Sequence, residues 1–148
     1  MKNKTKIAVV GIGLMGSQHI KAIKNSKKAV LHSIVDINEQ SRLHAKKFKV
    51  PFYKNSSALI KSNKPDAVIV ATPNQFHEKH SINFLSSKIP LLLEKPISDN
   101  IHKAKKIIKS SKKNKTPLLI GYHRRHNSMA LSVKKKNRFW QVRKNCFC

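Results

Sequence analysis

"KIAVVGIGLMG", residues 6–16, decides the fold. A short apolar run rich in β-branched residues stops at Gly11, and Gly13 and Gly16 follow at once. From Leu14 to about Lys27, Met15, Ile20 and Ile23 recur among polar residues at helical spacing. The reading is strand, tight turn, helix. In that setting the glycines of G-x-G-x-x-G serve three different ends. Gly11 makes the turn, Gly13 lets backbone approach a pyrophosphate, and Gly16 permits close strand and helix packing. The backbone from Gly11 through Ile12, Gly13, Leu14 and Met15 to Gly16 is therefore expected to face a dinucleotide, with the free N–H groups and the dipole of the helix start turned to its phosphates. A kinase-type glycine loop has the same spacing but lies between two strands, which the helical stretch after Gly13 argues against.

Working outward, "AVLHSIVDI" (29–37) reads as a second strand ending in Asp36, twenty residues beyond Gly16. A carboxylate there accepts hydrogen bonds from a ribose 2′-hydroxyl, so Asp36 and the adjoining Ile37 are expected at the adenosine end. Asp36 would repel a 2′-phosphate, which favours NAD; Arg42 and Lys46 could offset that by reaching back, and NADP stays open.

"NEQSRLHAKKF" (38–48) reads as a helix carrying Leu43, Ala45 and Phe48 inward. A short strand at Val50–Tyr53 and a helix near Ser56–Lys61 follow. "AVIVATP" (67–73) is a buried strand, "NQFHEKHSINFLSS" (74–87) a helix, and "IPLLLEKP" (89–96) a fifth strand. The next helix, with Ser98 as its N-cap, places Ile101, Ala104, Ile107 and Ile108 on one stripe opposite lysines. "TPLLIGYHRRH" from Thr116 is the sixth strand and its exit. Alternation at this rhythm, with strands apolar on both faces, predicts an α/β fold: a doubly wound parallel sheet of the Rossmann type in one domain, residues 1–130. Residues 131–148 read as an irregular basic tail, of the kind an out-of-frame end produces; its rival is a genuine basic tail in which Phe139 and Trp140 stack on bases or sit at a lipid surface.

With 32 Lys+Arg against 6 Asp+Glu the formal charge is +26, a field that would attract any polyanion. The lysines are spread along the whole chain, which a bias toward Lys, Ile and Asn explains more simply than a nucleic-acid patch, so no nucleic-acid partner is expected. Cys146 and Cys148 form neither a disulfide framework nor a metal motif. No stretch reads as a signal peptide or reaches membrane-spanning length, so a cytoplasmic protein without a membrane partner is expected.

Ligands of doubly wound sheets bind beyond the carboxyl ends of the strands. Thr72, Asn74 and His77 follow the fourth strand, Glu94 and Lys95 the fifth, and His123, Arg124 and Arg125 the sixth. No carboxylate or cysteine completes a ligand set around His77 and His80, or around His123 and His126, so no metal is expected; His77 and His80 read as exposed helical histidines.

Together "VVGIGLMG" (9–16), "ATPNQFH" (71–77), "LLLEKPIS" (91–98) and "IGYHRRHN" (120–127) resemble the N-terminal half of the glucose-fructose oxidoreductase and inositol 2-dehydrogenase (Gfo/Idh/MocA) family of NAD(P)-dependent sugar and polyol dehydrogenases. The resemblance implies that Lys95 lies beside the nicotinamide and the reacting hydroxyl and acts catalytically, that Glu94 contacts cofactor, and that Pro96 fixes the backbone there, often after a cis peptide bond. It implies that Ala71, Thr72, Pro73, Asn74 and His77 form the loop beside the nicotinamide ribose, and that His123 and Arg125 line the substrate side. His126 and Ser128 depart from the family pattern, which favours an aromatic and a proline there.

The resemblance also implies a second α/β domain carrying the oligomer contacts of a homo-oligomer, most substrate contacts and a histidine acid/base; 148 residues hold no such domain. The expectation is a truncated front half of an oxidoreductase that transfers a hydride between a sugar or polyol-like alcohol and nicotinamide, not competent alone, and prone to unspecific association. The alternative is a free-standing nucleotide-binding or basic nucleic-acid-associated module without enzymatic activity.

Overall fold

The computed structural model describes residues 4–122 together with Ser128 and residues 131–134. Strands β1 (Thr5–Val10), β2 (Ala29–Val35), β3 (Phe52–Tyr53), β4 (Ala67–Val70), β5 (Leu91–Leu93) and β6 (Leu118–Ile120) form one sheet in the order β3-β2-β1-β4-β5-β6. Every neighbouring pair is parallel. Helices α1 (Leu14–Asn25), α2 (Ser41–Phe48), α3 (Ser56–Ser62), α4 (His77–Ser86) and α5 (Ile101–Asn114) make the crossovers. The chain winds outward from β1 to β3, then returns to β1's other side as β4, so strand order reverses between β1 and β4. That is the doubly wound sheet expected from the sequence, with a crevice at its switch point.

The strands read as unbroken apolar runs because both faces are covered. Ala8 and Val10, Val68 and Val70, and Leu91 and Leu93 face one core with Leu59 of α3, Phe84 and Leu85 of α4 and Ile107 of α5. Val9 and Ile69 point the other way, to Ile20 and Ile23 of α1 and Ala45 of α2. Each fully buried side chain of this size contributes roughly 1.5–3 kcal/mol, so the two cores are what commits the chain to this layering.

The strands β2, β4 and β5 end at Val35, Val70 and Leu93, before the polar residues that follow them. Leu43 is 67% exposed instead of turned inward, because α2 presents Ser41 and Ala45, one turn apart, to the sheet and Leu43 lies on the opposite face. That helix starts at Ser41 and not at Asn38, since the Asp36 and Asn38 side chains accept from the Asn38 and Gln40 N–H groups and hold the loop in turns. The stretch from Asn74 begins as a 3-10 turn, Asn74–Phe76, before α4.

Asn100, not Ser98, caps α5: its Oδ1 accepts from Lys103 N at 3.0 Å, whereas Ser98 Oγ donates to Asp99. Of the expected stripe on that helix Ile107 is buried and Ala104 half-buried, but Ile101 (63%) and Ile108 (39%) are exposed, because the face toward α4 follows Ala104, Ile107 and Ser111. Ser128 and residues 131–134 carry helical backbone; the remainder of the expected tail lies outside the described residues.

Candidate functional site

The parallel ladder continues one rung past each strand. Gly11 N donates to Val35 O (2.8 Å), Ala71 N to Val10 O (2.8 Å), Glu94 N to Val70 O (2.9 Å) and Gly121 N to Leu93 O (2.8 Å). Asp36 N donates to Tyr53 O at 3.0 Å. Asp36, Gly11, Ala71, Glu94 and Gly121 therefore stand side by side along the carboxyl edge, aligned by main-chain hydrogen bonds. All four glycines of the chain, Gly11, Gly13, Gly16 and Gly121, lie on this edge.

Three of them form the turn between β1 and α1. Gly11 has φ +85°, a left-handed conformation, and a Cβ there would lie 2.9 Å from both Thr72 N and Thr72 Cγ2. A Cβ on Gly16 would collide with the Gly11 carbonyl oxygen, so strand and helix meet in contact that admits no side chain. Around Gly13 a Cβ would meet nothing within 4 Å. Gly13 is also the N-cap of α1 and offers no side-chain cap, leaving the first-turn N–H groups for an anion. The three glycines thus occupy three different geometries: a left-handed turn, an open position and a close strand–helix contact.

Asp36 Oδ2 accepts from Ile12 N at 2.7 Å, tying the end of β2 to the turn. Ile37 (82%) and Leu14 (80%) are the most exposed large apolar side chains among the described residues, and they flank that tie. An apolar ledge beside a carboxylate suits a purine riboside, apolar on its faces and hydroxylated at one edge. Arg42 is engaged by its neighbours: Arg42 Nε donates to Glu39 Oε2 at 2.9 Å, Lys54 Nζ lies 2.6 Å from Glu39 Oε1, and the Arg42 guanidinium stands 4.9 Å from the Phe52 ring centre. The two cations hold the Glu39 carboxyl down to about 2.

Glu94 is buried, 5% exposed, and its Oε1 accepts from His19 Nε2 of α1 at 2.7 Å. Gly121 packs against the same carboxylate, so closely that a Cβ would lie 3.0 Å from Oε1. Glu94 Oε2 lies 3.3 Å from Lys95 N. Lys95 is exposed and precedes a cis peptide bond to Pro96. The two charges at the mouth of β5 are thus divided: the carboxylate points in and braces the loop, the ammonium points out.

His77 is 1% exposed, which corrects its reading as an exposed histidine. Its Nδ1 is 2.9 Å from Pro96 O and its Nε2 2.8 Å from Thr72 O, so one ring links the loops after β4 and β5. Half-buried His80 is likewise not free; burial pushes its pKa down, aided by neighbouring Lys79 and His77. Pro73 and Asn74 are exposed on the same loop. Thr72 Oγ1 is buried without a hydrogen-bond partner, an orphaned polar atom of the kind a bound ligand satisfies. The open space at Gly13 and this orphan fit a dinucleotide laid across the edge. No cluster of three His, Cys, Asp or Glu suited to a metal occurs among the described residues. His123, Arg125 and His126 lie outside the described residues.

Sequence reasoning missed His19. The available signal was a polar residue between the buried Gly16 and Ile20, on the helix face that packs toward the sheet. Gly121 was missed as well; only the lateral register of β5 and β6 reveals that it faces Glu94.

A family model described as "Oxidoreductase family, NAD-binding Rossmann fold" (GFO_IDH_MocA) matches residues 5–122. The myo-inositol 2-dehydrogenase of Thermotoga maritima is 32% identical over 123 residues, covering 81% of this chain and 36% of that protein. Among solved structures, the WlbA dehydrogenase of Bordetella pertussis in complex with NADH and UDP-GlcNAcA superposes with TM-score 0.88 at 23% identity over 92% of this chain and 42% of its own. The scyllo-inositol dehydrogenase of Lactobacillus casei with bound NAD(H) and scyllo-inositol gives 0.87 at 19%, over 95% and 42%. At these identities the two structures speak for the fold alone. The chain spans well under half the length of the curated relatives it matches, 38% and 36% for the first two.

Proposed function

The chain belongs to the Gfo/Idh/MocA oxidoreductase family, of which it carries the NAD-binding Rossmann domain, and on that footing we propose that it is the cofactor-holding portion of an NAD-dependent dehydrogenase acting on a sugar or polyol-like alcohol. The observation that carries the reading is the row itself: the glycine turn, Ala71-Thr72 and Glu94-Lys95 follow the adjacent parallel strands β1, β4 and β5 at one sheet edge, at the switch point. NAD over NADP is supported by Asp36 beside the turn and by Arg42 turned away to Glu39. The nature of the substrate is suggested by relatives named as inositol dehydrogenases. A cytoplasmic setting, where nicotinamide pools reside, accompanies the reading.

In this proposal the turn from Gly11 to Gly16 holds the pyrophosphate through backbone N–H groups, with Ile12, Leu14 and Met15 as its non-glycine members. Asp36 and Ile37 receive the adenosine ribose and base. Ala71, Thr72, Pro73 and Asn74 border the second ribose, and Thr72 Oγ1 gains the partner it lacks. The nicotinamide supplies the acceptor for a hydride leaving a carbinol carbon. Lys95 projects its ammonium where an alkoxide would develop and stabilises that charge. As an ammonium it cannot accept the hydroxyl proton, so its role is orientation and charge stabilisation, and the proton must pass to another base. Glu94 holds the Lys95 backbone in place while His77 fixes Pro96 behind it. Arg125, which follows β6 in sequence, is assigned by the family pattern alone to the substrate side, where it would also border the cofactor.

Titration of the chain with NADH, followed by nicotinamide fluorescence, tests the reading. Saturable binding that Asp36→Ala weakens about tenfold or more is expected, on the scale of a lost hydrogen bond to a charged group. A chain folded by circular dichroism that binds no NADH would sink it. Incubation with NAD and myo-inositol, read at the NADH absorbance band, tests the substrate class.

A further inference from the structure

Only six carboxylates face 32 basic side chains in this protein, and Glu39 engages two cations at once. It does so at the corner where the adenosine ribose is proposed to sit. Glu39 lies in the turn that begins at Asp36, whose Oδ1 accepts from Asn38 N, and Arg42 N donates to Glu39 O. Lys54 follows Tyr53, whose carbonyl accepts from Asp36 N. Arg42 and Lys54 thus flank Asp36 from α2 and from the end of β3, and the Arg42 guanidinium is further held over the Phe52 ring. These are the groups that could answer a 2′-phosphate, and both are committed to Glu39 at 2.9 and 2.6 Å.

We propose that Glu39 is a specificity-determining residue: it discriminates against NADP by holding Arg42 and Lys54 away from the 2′-position, so that Asp36 meets a 2′-phosphate uncompensated. The inference rests on the NAD reading above and adds a second carboxylate to it. Asp36 recognises the ribose directly; Glu39 touches no cofactor and acts through the cations it binds. The pairs are half-exposed, so each is modest alone. Their joint release next to a dianion is what gives the effect its size, since charge-assisted contacts to phosphate are stronger than neutral ones.

The test is a set of fluorescence titrations of the full chain with NADH and with NADPH at one ionic strength. The wild type is expected to prefer NADH, and Glu39→Gln to narrow the ratio of dissociation constants about tenfold, through tighter NADPH binding. Glu78→Gln raises the net charge by the same amount on α4, where Glu78 pairs with Lys106, and is expected to leave the ratio within about twofold. Glu39→Gln with Lys54→Met should return part of the gain. An unchanged ratio in Glu39→Gln, or an equal gain in Glu78→Gln, overturns the assignment. Absence of NADH binding by the wild type overturns the NAD reading itself, and the role of Glu39 with it; NADH binding with no response to Glu39→Gln overturns the role of Glu39 alone.

Discussion

His19 Nε2 and Glu94 Oε1 stand 2.7 Å apart, joining α1 to the end of β5 across 75 residues of sequence. The glutamate is buried, and its other oxygen faces the Lys95 N–H. Removing the ring strands a carboxylate that the fold keeps from water. His19→Leu should lower stability by about 2–3 kcal/mol, and His19→Gln, which retains an N–H donor, should recover about half of that. Urea midpoints of the three proteins measure this; equal midpoints for Leu and Gln would show that packing alone matters at residue 19.

Two glycines of one turn should respond to alanine in opposite ways. Gly16→Ala drives a methyl into the Gly11 carbonyl and should cost about 2–3 kcal/mol of stability. Gly13→Ala enters open space and should leave the melting temperature within about 2 °C while weakening NADH binding, because the added methyl occupies the approach to the phosphates. Thermal melts paired with NADH titrations separate the two.

His77 links the loops after β4 and β5. His77→Ala empties a buried site and removes the ring that bridges the Thr72 and Pro96 carbonyls, at a cost of about 2–4 kcal/mol. Hydrogen exchange should rise at residues 72–76 and 94–98 more than in β1, and a uniform rise across the sheet would contradict the link.

Below neutral pH His80 should destabilise the fold. Its folded pKa lies under the ordinary 6.5 through burial and the cations beside it, so the unfolded chain binds the proton first. Its contribution is complete above pH 6.5, declines as pH falls toward the depressed folded value, and levels off below that. His80→Asn should flatten the slope of unfolding free energy against pH in that window.

Three lysines, Lys49, Lys88 and Lys115, have φ between 50° and 59°, the first and third as C-caps of α2 and α5. Glycine occupies that conformation without a Cβ penalty. Lys115→Gly should therefore add about 0.5–1 kcal/mol and raise the melting temperature by about 2–4 °C in a calorimetric scan.

What the sequence made legible follows from what each element depends on. The order of strands and helices rests on apolar runs and glycine spacing, both local, and it was readable. The row of Gly11, Thr72 and Glu94-Lys95 was readable through the motifs that mark strand ends. Leu43 was misplaced because the short helix α2 settles its rotation by tertiary packing, and Ser41 and Ala45 won the inward face; Ile101, in the first turn of α5, lies off the face that buries Ile107. Ser98 was read as the cap of α5, but the backbone path gives the Lys103 N–H to Asn100. The partner of His19 lies 75 residues away and that of His77 on the next strand's loop, contacts that only the folded sheet brings together.

The residues along the carboxyl edge are anchored through peptide groups, each on the rung beyond its strand. The solvent-facing sides of the helices take no part in that anchoring; from the helices the inward-turned His19 and His77 reach the edge. A drift in base composition that fills those surfaces with lysine can therefore proceed a long way before it disturbs the edge. A +26 charge and an intact glycine turn are therefore compatible in one chain: the lysine-rich helix surfaces and the peptide groups of the edge are different parts of the polymer.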